Sequence, residues 1–151
     1  MLPSIFSSEV VLQLKARFEK LTPQSQPQWG RMTAPQMLAH CNVTYEMIYD
    51  NIHPKPNFFL GLILKSIVKK AVVNEAPYAR NLKTGPQFLV SADKDFNREK
   101  ERLFQYMDRT QSLGEAHFHM KESVSFGPLT VTEWNNMMYK HLDHHFTQFG
   151  V

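Results

Sequence analysis

A chain of 151 residues with 42% hydrophobic and 21% charged residues can bury one core and is too short for two comfortable ones. Its 17 Lys and Arg against 14 Asp and Glu leave a net charge of +3, scattered apart from the short cluster Lys65, Lys69 and Lys70, which argues against a nucleic-acid-binding face. The one cysteine, Cys41, excludes an internal disulfide framework and a thiolate metal cluster, and it fits a reducing cytoplasm. The start, MLPSIFSSEV, lacks the basic and apolar stretches of a secretory signal. The apolar run FFLGLIL at 58–64 is far shorter than the ~20 residues that cross a bilayer. One cytoplasmic domain over 1–151 is expected, with neither nucleic acid nor membrane as a partner.

The first periodic segment, SSEVVLQLKARFEKL at 7–21, repeats Val10, Val11, Leu14, Phe18 and Leu21 at helical steps, with Ser7 or Ser8 as its cap. TPQSQPQWG, 22–30, breaks the period and reads as a loop carrying Trp29. A second helix begins at Thr33, where Gln36 completes a capping box and Pro35 sits in the first turn. It runs to about Ile52 and is stopped by HPKPN at 53–57.

FFLGLILKSIVKKAVV, 58–73, sets Leu60, Ile63, Leu64, Ile67, Val68 and Ala71 against lysines on the other side, as in a helix packed on the body of a domain. A membrane-surface or partner-binding helix is the sharper alternative. NEAPYARNLKTGPQFLV, 74–90, has no clear period, and a connection this long is usually a crossover or a pocket wall. ADKDFNREKERLFQYMDRT, 92–110, is a charged helix with a narrow seam at Phe96, Leu103, Phe104 and Met107. After Gly114, AHFHMKESVSF reads as a short strand or extended loop that Gly127-Pro128 stops. Thr130 or Thr132 then opens a last helix reaching about Phe149. The fold class expected is all-α: a four-helix bundle with a long crossover connection and one additional short helix.

On the last helix, three histidines fall within five positions. With Trp134 as zero on a helical wheel, Met138, His141, His145 and Phe149 lie within roughly 60°, while Lys140, Asp143 and Thr147 fall opposite. His144 lies about 80° away, at the stripe's edge beside Met137. Two imidazoles on one apolar stripe need donors and acceptors that the stripe does not supply, and a transition metal would take both lone pairs. Their i, i+4 spacing lets them share an ion. On the second helix His40 likewise sits among Met37, Val43, Thr44 and Met47, so facing helices could bring His40, His141 and His145 together as an open three-ligand site. His53 stands at a helix end, and His117 and His119 in an irregular segment, where surface or pocket-rim roles are expected.

The stretches QPQWGRMTAPQMLAHC at 26–41 and GPLTVTEWNNMMYKHLDHHFTQFG at 127–150 resemble the two signature regions of the DinB/YfiT-like metal-binding four-helix-bundle superfamily, in particular a bacterial branch of unknown function. The resemblance covers both ends closely and the middle, 53–115, only in layout. It implies a DinB-like bundle whose metal ligands are His40, His141 and His145, with zinc or nickel as the ion.

A three-histidine ion can activate water, polarise a carbonyl or activate a thiol, and the resemblance implies thiol-dependent transferases and hydrolases. Cys41 lies about 100° around the helix from His40, so it reads as a small buried residue and the thiol would come from outside. No general base stands out: Glu46 is on the wrong side of its helix, and Glu115, Glu122 and Glu133 lie in or beside a loop. Trp29, His117 and His119 are candidates for the pocket lining. The function expected is a metal-dependent transferase or hydrolase acting on a small molecule, with a low-molecular-weight thiol as candidate cosubstrate. The alternative is a non-catalytic metal- or ligand-binding bundle. A homodimer is compatible with either.

Overall fold

Thr33 and Thr130 do the same job at the starts of two helices. In the computed structural model, which describes residues 1–151, each threonine accepts a hydrogen bond from the backbone N–H three residues on. Gln36 and Glu133 return the bond to the threonine N–H. These capping boxes satisfy amides that a helix start leaves unpaired. They open α2 (Ala34–Tyr49) and α6 (Val131–Gln148).

The remaining helices are α1 (Ser8–Phe18), α3 (Phe58–Ile63), α4 (Lys69–Val73) and α5 (Phe96–Phe118). A single π-helical turn, Leu64–Val68, joins α3 to α4 without a break, and a 3-10 turn spans Pro86–Phe88. Strands β1 (Lys121–Ser123) and β2 (Gly127–Leu129) form a small antiparallel hairpin with Lys121 opposite Leu129. The protein is mostly helical, and the all-α expectation needs that hairpin added.

One core joins α1, α2, α5 and α6. Leu14 and Phe18 of α1 meet Met37, Leu38 and Tyr45 of α2, Leu103 and Met107 of α5, and Trp134, Leu142 and Phe146 of α6. Phe18 stands edge-on to Phe146 with ring centroids 3.9 Å apart. Each such side chain contributes roughly 1.5–3 kcal/mol on burial, so packing supplies most of the stability.

Four local readings need correcting. Gly114 does not end the helix: the chain passes through it at φ 68° and completes another turn to Phe118. That residue is fully buried and packs on Phe6 and Trp134, so tertiary contact overrides the glycine. Gly127-Pro128 begins a strand instead of stopping one.

The 58–73 segment is helical, but no residue in it is buried. Its apolar side lines an open cleft. Lys140, expected on the outward side of the last helix, is only 4% exposed. Its ammonium donates to the Ala71 and Asn74 carbonyls and to Asn74 Oδ1 at 2.8, 2.8 and 2.9 Å. The end of α4 leaves carbonyls that want donors, and Lys140 supplies them from α6. Asn136 adds a bond to the Val73 carbonyl. The segment is moored by its carboxyl end.

Candidate metal centre

The two capping boxes set the register that brings three histidines together. His40 lies in the second turn of α2, and His141 and His145 lie one turn apart on α6. His40 Nε2 and His141 Nε2 are 3.0 Å apart. The ring centroids form a nearly equilateral triangle, with His40–His141 at 5.0 Å, His40–His145 at 4.6 Å and His141–His145 at 4.9 Å. One ring nitrogen from each lies within 4.8 Å of the others. His40 and His145 are buried, and His141 is partly buried.

The outward nitrogens decide which way the lone pairs point. His40 Nδ1 lies 2.8 Å from the Phe88 carbonyl, which can only accept, so the proton is on Nδ1 and Nε2 is free to ligate. His145 Nδ1 meets Gln148 Oε1 at 2.8 Å, and Gln148 Nε2 donates to the Trp29 carbonyl at 2.7 Å. The amide is thereby oriented by its network, and His145 too carries its proton outward. His141 Nδ1 is 3.0 Å from Thr44 Oγ1, a hydroxyl able to accept. Gly30 lets the Trp29 loop close here: at φ 83°, a Cβ would come within 2.7 Å of Gln148 Nε2.

Burial lowers the pKa of all three histidines, and neighbouring imidazoles lower it further. His145 falls to about 3 even though Gln148 opposes the shift. The set is therefore neutral near pH 7, the protonation state that a metal requires. Metal–imidazole bonds of about 2.1 Å in a tetrahedral site put ligand nitrogens roughly 3.3 Å apart. The closest pair is already near that spacing, and a modest ring rotation brings in the third. Three histidines that can hold a metal ion are thus in place, each with its other nitrogen oriented.

A family model described as a protein of unknown function, DUF1569, matches residues 10–150. The chain belongs to DUF1569. No curated protein and no solved structure matches it. The match takes in all three histidines and their partners Thr44, Phe88 and Gln148.

This DUF1569 chain opens its centre into a cleft of about 1020 Å³, at the upper end of ordinary ligand pockets. Both long irregular segments contribute: the 74–90 connection supplies residues from Tyr78 to Val90, and the hairpin supplies Ser123 to Phe126. Trp29 lines the cleft as expected, whereas His117 and His119 are exposed elsewhere. His144 is half-buried at the edge of the stripe, where it faces the rings of Trp29 and Tyr78, each at 5.7 Å.

Cys41 is fully buried on the core side, 3.7 Å from Met37 Sδ, and burial pushes its thiol pKa up, so it stays protonated. None of the four glutamates weighed as bases lines the cleft. Glu46 is tied to Arg102 and His53, and Glu133 caps α6 and pairs with Lys69. Thr44 and Gln148 were legible only as residues near histidines. The Phe88 carbonyl gave no sequence signal, because any residue carries one.

Proposed function

We propose that this chain is a metal-dependent enzyme of the DinB-like four-helix-bundle type, with zinc or nickel held by His40, His141 and His145. It would act on a small molecule, as a transferase using an external thiol or as a hydrolase. One observation carries the reading: one ring nitrogen from each of three imidazoles lies within 4.8 Å of the others in the lining of a wide cleft, and no fourth His, Cys or carboxylate joins them. Structural zinc sites usually close four protein ligands, whereas an open position suits exchange of water or substrate. An ion there would supply Lewis-acid activation. The protein's own part is to hold the imidazoles by Phe88, Thr44 and Gln148, and to wall the site with Trp29, Tyr78 and His144.

A second reading, a non-catalytic metal- or ligand-binding bundle, draws on the lack of any Asp or Glu in the cleft wall to move a proton. Elemental analysis of tag-free protein from metal-replete medium should find about one zinc or nickel per chain. Absence of a stoichiometric ion sinks the metal reading. With the ion present, turnover that depends on an added low-molecular-weight thiol favours the transferase. No activity in thiol-transfer or hydrolase screens favours the binding bundle.

A further inference from the structure

The cleft above the histidines has a one-sided chemistry. Of its 35 lining residues 19 are hydrophobic and none is Asp or Glu, so it has nothing with which to neutralise a cation. Its charged members are Arg31 and Lys83, and neither takes part in an ion pair. Two lining residues, Trp29 and Trp134, have indole nitrogens that are buried with no acceptor in the protein. An indole N–H only donates, so the Trp29 ring beside His144 gives that end of the cleft an unmatched donor, while Trp134 lies about two helical turns from His141. A divalent ion on three neutral imidazoles would add double positive charge, and leaving that uncompensated in apolar surroundings is costly. Each of these features favours an anionic group.

The shape favours a long apolar body behind it. Along α6 the lining runs from Gln148 and His145 to Met137 and Trp134, and Trp134 stands about 10 Å from His141 by helical rise. The 58–73 segment contributes Leu64, Ile67 and Val68 to the same cleft. Ile67, Leu82 and Leu89 line it too, yet are 68%, 61% and 68% exposed, apolar surface that a bound chain would cover. We propose that the cleft binds an amphipathic carboxylate of the fatty-acid kind, its head at the three-histidine centre and its chain along α6 beneath the Leu64–Val68 turn. The placement of the head rests on the metal reading above; the chain's path does not.

The test is calorimetric titration of zinc-loaded, tag-free, full-length protein with straight-chain carboxylates from butanoate to dodecanoate, with zinc content measured separately. Affinity should rise about tenfold for every two methylenes until the cleft is filled. Dodecanol, which keeps the chain without the charge, should bind at least about tenfold more weakly than dodecanoate. Val68→Trp, which narrows the cleft, should weaken dodecanoate about tenfold or more and leave butanoate and zinc content unchanged. A flat series, or dodecanol equal to dodecanoate, with zinc fully bound overturns the proposal and leaves the metal reading intact. Carboxylate-selective, chain-length-dependent binding in a protein that takes up no zinc overturns the metal reading and supports the ligand class.

Discussion

Helix α2 carries two buried polar clusters on nearly opposite faces, and they meet their needs in different ways. Toward α5, Asn42 donates to Glu99 at 2.8 Å, and Arg102 bridges Glu99 and Glu46. His53 Nε2 lies 2.7 Å from the other oxygen of Glu46. Opposite charges there answer one another, and the cluster ties α2 to α5. Toward α6, His40 and Thr44 meet His141 and His145, and the nitrogens that converge face only one another, His40 Nε2 and His141 Nε2 at 3.0 Å. The nitrogens facing away bond to Phe88, Thr44 and Gln148. Ion pairing between α2 and α5 marks the first cluster as structural, although Asn42 Oδ1 is left without a partner, whereas the second gathers three neutral rings that could hold a metal ion.

The comparison can be broken by substitution. Replacing His40, His141 or His145 with Ala should each cost at least roughly a thousandfold in zinc affinity, since two imidazoles rarely hold the ion tightly. Helical content should survive, because the core does not depend on the ion. Competition with a chromophoric chelator and circular dichroism check the two halves, and collapse of the helical signal would reassign the centre as structural.

Arg102→Ala should do the reverse. It leaves Glu46 and Glu99 buried without their cation and should cost about 3 kcal/mol in urea unfolding, partial exposure of the arginine moderating the loss. Zinc content should not change. A loss of zinc would mean that the two faces of α2 are coupled.

Acid should act on the histidine cluster through the unfolded state. The folded pKa values of His40, His141 and His145 lie below 6.5, so the unfolded chain binds protons that the native protein refuses. Stability is fully present above 6.5 and falls as pH drops through that value, continuing toward about 3 for His145. Metal-free protein should lose roughly 2 kcal/mol between pH 6.5 and 5.5. Bound zinc keeps the same nitrogens free of protons, so the loss should be at least as steep with zinc as without; stability that does not change across this window would show that these histidines do not take up protons on unfolding.

The smallest effects separate two neighbours of the site. Gln148→Ala removes the acceptor that orients His145 and should weaken zinc roughly ten- to a hundredfold. His144→Ala, which removes a ring packed on Trp29 and Tyr78, should stay within about tenfold. The reverse ranking would place His144, not His145, among the ligands.

Much of this was legible because it is local. Thr33 with Gln36 marks the start of α2 within four residues, and the sequence names Thr130 as one of two candidate starts for the last helix. The i, i+4 pair and the apolar setting of His40 come from helical geometry alone, and the tertiary structure brings all three rings together. What the sequence could not determine depends on which segment covers which. Periodicity shows that 58–73 has an apolar side but not that an open cleft faces it. A wheel puts Lys140 away from the core stripe, yet α4 arrives on that side with bare carbonyls and buries it. Phe88 orients His40 through a backbone oxygen that is the same at every position, across 48 residues. Dihedral preferences and side-chain periods act over a few residues and can be read from them, whereas hydrogen-bond partners and cavities depend on distant segments that only the folded chain brings together.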